Sequence, residues 1–194
     1  MRIHASRRLA PTVLALTLLA SAPAVALAQM SMSGGHDPMV GGAAMYPSKN
    51  IVENAINSKD HTTLVAAVKA ADLVGTLEGP GPFTVFAPTN EAFAKLPAGT
   101  VDTLLKPENK AQLVSILTYH VVPGRLTVAE LRRMVRKGGG KVSLTTAQGE
   151  PLTVTEAGGG LDVTDSKGDV AHVTIGDVRQ SNGVIHVVDT ALLP

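Results

Sequence analysis

Cysteine and tryptophan are absent from the 194 residues, and the aromatic side chains amount to three Phe and two Tyr. Without Cys there is no disulfide framework, no thiolate zinc or iron–sulfur site, no cysteine nucleophile and no lipidated N-terminal Cys. Without a row of rings, single-stranded nucleic acid has no stacking surface to bind. Charged residues make up only 17% against 44% apolar, so the core is aliphatic, and this length supports one ordinary domain.

The start of the chain reads as an address. Residues 1–28 hold Arg2, Arg7 and Arg8, an apolar run from Leu9 to Leu19, and small residues ending in Ala26-Leu27-Ala28. That is the order of a cleavable signal peptide. Pro11, Thr12, Thr17, Ser21 and Pro23 interrupt a run that would need about 20 apolar residues to span a bilayer. Cleavage before Gln29 is expected, giving a periplasmic or extracellular protein with no permanent membrane anchor. The Arg7-Arg8 pair admits a twin-arginine route beside the general one. The processed chain keeps 14 basic and 16 acidic residues, which turns a formal charge of +1 into −2. A general affinity for nucleic acid then has no electrostatic basis.

Residues 29–47 are rich in Met, Gly and Ser and lack a hydrophobic period, which predicts a flexible leader that does not pack. Within it Met30, Met32, Met39 and Met45, with His36, offer soft thioethers and one imidazole, a donor set suited to Cu(I). The plainer reading is a tether in which Met is incidental and no cofactor is held.

Residues 48–194 carry the ordered pattern. Ile51, Val52, Ala55 and Ile56 fall at helical spacing, and Leu64, Val65, Val68 and Ala71 mark a second helix with Asp60 as its N-cap. Gly79-Pro80-Gly81-Pro82 stops helical structure, Phe83 to Ala87 reads as a buried strand ended by Pro88, and Thr89-Asn90 caps a short helix through Phe93. Pro107 opens a further helix, and Thr127 to Val135 suits a short amphipathic one. Beyond Gly138–Gly140 the apolar residues alternate, and Asn182-Gly183 reads as a two-residue hairpin turn. Helices first and antiparallel strands later indicate an α+β class.

Three segments carry a family signature. The stretch TVFAPTNEAF (84–93), with Phe86, Pro88, Thr89, Asn90 and Phe93, resembles the first conserved box of the fasciclin (FAS1) domain. NGVIHVVDTALLP (182–194), with Asn182, Gly183, His186 and Asp189, resembles its second box, and Tyr119-His120 matches the family's Tyr-His pair. The resemblance implies a wedge of short β-strands with helices packed around it. It also implies an exported, non-enzymatic adhesion or interaction module whose partner is a cell-surface protein, matrix component or polysaccharide. By the same resemblance Tyr119, His120, Asp177 and His186 are recognition candidates. Asp177 precedes Val178 where some animal relatives have an Asp-Ile pair associated with integrin binding; the Ile is missing here. Some FAS1 proteins hold carotenoids, so a carrier of a flat apolar ligand is the alternative function.

The residues themselves favour structure over catalysis. No zinc-protease helix, Gly-x-Ser-x-Gly elbow or phosphate-cradling loop is present. The three Phe suit a core role, and Asp177 and Asp189 suit turns and backbone hydrogen bonds. His120 and His186 read as hydrogen-bonded structural groups. One charged cluster stands out: Arg125, Arg132, Arg133, Arg136 and Lys137, followed by Lys141. It offers a patch for anionic polysaccharide or lipid head groups, or is simply the solvated end of a helix whose dipole favours cations.

Overall fold

The computed structural model describes residues 37–194. The expected signal peptide and Met30, Met32 and His36 of the candidate copper set lie outside the described residues. Two short strands come first, β1 (Met39–Val40) and β2 (Ala43–Ala44). Helices α1 (Ile51–Ala55), α2 (Thr62–Ala70) and α3 (Val74–Leu77) follow, then strand β3 (Phe83–Pro88). Next come α4 (Asn90–Ala94), α5 (Thr100–Leu104), α6 (Lys110–Tyr119), strand β4 (Val121–Pro123) and α7 (Val128–Lys137). Five strands complete the chain: β5 (Lys141–Thr145), β6 (Pro151–Ala157), β7 (Gly160–Thr164), β8 (Val170–Gln180) and β9 (Gly183–Val188).

The α+β class holds, with one seven-stranded sheet in the order β4-β3-β9-β8-β7-β6-β5. Its pairs are antiparallel except β3 and β9, which run parallel in register from Phe83↔Gly183 to Pro88↔Val188. The antiparallel pairing expected of the later strands holds from β5 to β9, and the parallel pair joins β9 to the earlier β3, where the intervening chain serves as the long crossover that parallel neighbours need. Both signature boxes thereby meet along the centre of the sheet. All six residues of β9 are buried, which is why its sequence is a continuous apolar run. Side chains still alternate between two cores. Val85, Ala87, Ile185 and Val187 pack with the apolar faces of α1, α2 and α6. Phe86 and Val188 enter the opposite core with Tyr119, Leu131, Leu152 and Val163. The Ala147 N–H donates to the Val121 carbonyl at 2.7 Å, drawing the β5 and β4 ends of the sheet together into a wedge.

Several local expectations are corrected. The leader does not stay unpacked to residue 47. Gly41 and Gly42, at φ +58° and +75°, form the turn of the β1–β2 hairpin. The hairpin drives Val40 and Met45 into the helical core, 4% and 1% exposed. Two isolated apolar residues anchor it, so no periodicity announced it. Asp60 does not cap α2; His61 holds the N-cap position without a side-chain cap bond. The capping acceptor comes from elsewhere, since Asn90 Oδ1 receives the Thr63 N–H at 3.0 Å. Thr89 alone caps α4, accepting from the Ala92 N–H at 3.2 Å. The last hairpin turns at Ser181-Asn182 rather than Asn182-Gly183, because Gln180 pairs with Gly183. Gly183 is needed for proximity instead: a Cβ there would lie 2.2 Å from the Phe83 carbonyl oxygen across the parallel pair.

Candidate interaction surface

The recognition candidates are built into the interior. Tyr119 closes α6 with its ring fully buried. Its hydroxyl donates to the Pro151 carbonyl at 3.1 Å and accepts from the Ser166 N–H at 3.0 Å, tying α6 to β6 and the β7–β8 turn. His120 follows. Its Nδ1 bonds the Ile116 carbonyl at 2.8 Å, so that nitrogen carries the proton, and Nε2 accepts the Leu192 N–H at 3.0 Å. Burial lowers its pKa to about 4, against a smaller opposing pull from the Ile116 carbonyl and Asp165. It is a neutral link between the helical layer and the C-terminal segment of the second box. Direct contact with a partner is closed to both residues in this conformation.

His186 and Asp177 form a second interior link. His186 Nε2 donates to the Leu126 carbonyl at 2.8 Å, and Nδ1 accepts the Asp177 N–H at 3.2 Å. Burial again lowers the imidazole's pKa. Asp177 has φ +57° in the irregular stretch of β8, and its Oδ1 accepts the Val128 N–H at 2.8 Å, satisfying the first turn of α7. The two histidines flank Phe86: its N–H donates to the His120 carbonyl at 2.9 Å, and its ring centroid lies 5.7 Å from that of His186. Asn182 accepts the Ile51 N–H at 3.1 Å and donates to the Leu77 and Gly79 carbonyls at 2.7 and 2.9 Å. Asp189 accepts the His172 N–H at 2.8 Å. Burial opposes its charge, but this bond, the Thr190 hydroxyl and Lys95 together hold its pKa below the carboxylate range. Pro88 and Phe93 are buried as well.

Sequence reasoning missed two interior groups. Asp165, 7% exposed, accepts the N–H groups of Lys167, Asp169 and Leu193. His61, 3% exposed, bonds Ser58 Oγ through Nδ1 at 2.9 Å, while its buried Nε2 has no partner within hydrogen-bond geometry. Neither sits in a motif that would announce it. Met39 is exposed on β1, whereas Met45 is packed in the core, so Met45 leaves the expected copper set. Among the described residues, no three His, Asp or Glu side chains gather where they could hold a metal. Nor, among those residues, is any helix long and apolar enough to cross a membrane.

What remains outside is the basic cluster, five of its members on or beside α7. Thr127 caps this helix in a reciprocal capping box with Glu130. Leu131 and Val135 are buried against the β5–β7 face at 0% and 2% exposure. The opposite side presents Arg132, Arg133, Arg136 and Lys137 toward solvent. Two of these arginines meet one acid: Arg136 Nη1 lies 3.3 Å and Arg132 Nε 3.9 Å from Glu156 Oε1 on β6. Arg132 Nη2 also donates to the Gly159 carbonyl of the β6–β7 turn. Arg125 stands apart and donates to the Ser181 carbonyl at 3.1 Å. Glu156 went unrecognised in the sequence because only the folded sheet brings it under α7.

Comparison with known proteins agrees with this anatomy. The family model described as "Fasciclin domain" matches residues 59–194. Protein sll1483 of Synechocystis is 49% identical over 174 residues, covering 89% of this chain and 88% of that protein. Immunogenic protein MPB70 of Mycobacterium bovis is 39% identical over 145 residues, covering 72% and 66%. Cell surface glycolipoprotein MPB83 of the same species is 33% identical, covering 90% and 81%. A solved FAS1 domain pair from the insect cell adhesion molecule fasciclin I superposes with a TM-score of 0.68 at 21% identity. That match covers 75% of this chain and 51% of the insect one, and it establishes the shared fold. The chain belongs to the fasciclin-domain family.

Proposed function

We propose that this protein is an exported, non-enzymatic interaction module that holds a cell-surface partner through the basic face of α7. Family membership supports the adhesion-type role. The observation that carries the location is how the signature residues are used: Tyr119, His120 and His186 lie inside with their polar atoms bonded to backbone. Recognition is therefore left to the outer surface, where four cations lie within the six residues from Arg132 to Lys137. Like charges so placed attract polyanions at a distance and lose that attraction to salt. A periplasmic or extracellular location follows from the charged, apolar and small-residue order of residues 1–28.

Retention of the full-length protein on the envelope fraction of its producing cells tests the reading. It is expected to fall as salt rises and to be largely lost in Arg132→Gln/Arg133→Gln. Retention indifferent to both salt and substitution overturns it.

An apolar-ligand carrier is the second reading, favoured by one feature. A slit between α1, α2 and β3 is lined by Ile51, Leu64, Val68, Val85 and Leu117. Its volume of about 40 Å³ is far below the roughly 300–1,000 Å³ of pockets for drug-sized ligands, so a carotenoid-sized molecule requires α1 and α2 to part. Visible absorbance in protein purified from its own cells supports a carrier; colourless protein counts against it.

A further inference from the structure

Beneath the basic face of α7 lies a defined hollow of about 170 Å³, walled by Arg132, Arg136 and Glu156 and floored by the Ala157–Gly160 turn. Gly158 and Gly159 have φ of +57° and +82°, the turn conformation that favours glycine. A Cβ at either would meet nothing within 4 Å, so the floor is open on the solvent side. The volume is below the roughly 300–1,000 Å³ of pockets for drug-sized ligands, and it suits one sugar ring of a longer chain.

Charge in the hollow is unbalanced. Two guanidinium groups face one carboxylate; the Arg132 Nε–H is buried without a hydrogen-bond acceptor, while the Arg136 side chain stands exposed to solvent. The acid already present shows what the site accepts, since the Glu156 carboxylate lies against both guanidinium groups at 3.3 and 3.9 Å. Planar guanidinium forks match planar carboxylates in two-point contact. Farther round the exposed side of α7, Arg133 and Lys137 add positive charge, with no salt-bridge partner among the described residues, whereas Lys141 pairs with Thr155 and points to the other face of the sheet. Two arginines in the hollow with further cations on the same helix fit a repeating anion better than a single small one.

A bilayer surface fits less well. A helix that lies on lipid buries apolar side chains in it, but the apolar residues Leu131 and Val135 of α7 face the protein core. The large apolar side chains most exposed among the described residues are Met39, Tyr46, Ile56 and Val170, none of them on α7.

We infer that the hollow between α7 and the β6–β7 turn is a carboxylate subsite for one acidic sugar of a uronate-containing polysaccharide. Glu156 is the internal counter-ion that the sugar carboxylate competes with, and Arg133 and Lys137 on the same helix steer neighbouring residues of the polymer. The inference rests on the reading of α7 as the binding face and names the chemistry that face takes.

The test is calorimetric titration of the full-length protein with a tetragalacturonate probe. Its methyl ester, a sulfated dextran and phosphatidylglycerol vesicles serve as separate arms. The free acid is expected to bind and the ester to fail. Arg132→Lys keeps the charge and loses the fork, and is expected to weaken binding about tenfold. Glu156→Gln removes the competitor and is expected to tighten binding several-fold. Equal melting temperatures for these variants and the wild type exclude a folding effect, and Arg136→Lys, expected to weaken binding in the same way, provides a second probe if Arg132→Lys melts lower. Equal affinity for acid and ester, no change in either Lys variant, or binding to vesicles or sulfated dextran in place of the uronate overturns the subsite. If wild-type protein ignores the uronate while envelope retention still depends on Arg132 and Arg133, the subsite fails alone. If envelope retention also fails to respond, both readings fall.

Discussion

Tyr119 serves the fold through two hydrogen bonds that Phe cannot make. Tyr119→Phe keeps the ring and leaves the Pro151 carbonyl and Ser166 N–H without that partner, so a loss of about 1–2 kcal/mol is expected in urea unfolding. The variant should still fold. Gly183→Ala is expected to be far worse, roughly 3 kcal/mol or more, because its Cβ would lie 2.2 Å from the Phe83 carbonyl oxygen and force the central parallel pair apart. Unfolding midpoints near wild type for Gly183→Ala would show that the strands can move aside. These roles were only half legible in the sequence. The motif residues were visible as a family signature, and their structural use agreed with the residue types: a ring hydroxyl, imidazoles and an amide, each with atoms to satisfy once buried. Which partners they satisfy was not legible, since Asn182 bonds residues 131 and 105 positions away.

Among the elements, the β1–β2 hairpin and α7 show where pattern reading works and where it stops. The amphipathic period of α7 and its Thr127/Glu130 box are contained in ten or so consecutive residues, and the helix forms where that pattern places it. The hairpin has no such period. Its Gly41-Gly42 turn was present in the sequence, but two buried side chains are too few to separate a packed hairpin from a loose leader. Met45 is the larger of those anchors, at 1% exposure. Met45→Ala is expected to cost roughly 2–4 kcal/mol by opening a cavity in the core, measured by thermal or urea unfolding. An unchanged midpoint would show that the hairpin detaches without consequence and that the leader reading was right as far as residue 47. Longer-range pairing was the least accessible feature. The parallel β3–β9 contact joins segments about 100 residues apart, and alternation alone cannot tell a strand which neighbour it will have.

For the molecule as a whole, stability and binding are expected to separate. His61, His120 and His186 are all held neutral by burial, with His120 lowered to about 4. In the unfolded chain these groups take up a proton below about pH 6.5, while the folded protein resists until lower pH. Acid therefore favours the unfolded state. Stability is expected to decline from about pH 6.5 toward 4, with His120 alone contributing about 3 kcal/mol of that loss at its lower end. A melting temperature that is flat from pH 7 to 4 would contradict the buried neutral assignment.

On the proposed function, the family signature holds the fold while α7 holds the partner. One binding measurement separates the two: envelope retention at low salt and neutral pH for the wild type, Tyr119→Phe and Arg132→Gln/Arg133→Gln, each confirmed as folded. Tyr119→Phe is expected to bind like wild type despite its lower stability, and the arginine variant to bind at least about tenfold more weakly, a loss of about 1.4 kcal/mol, at unchanged stability. Full binding by the arginine variant with loss in folded Tyr119→Phe would contradict it.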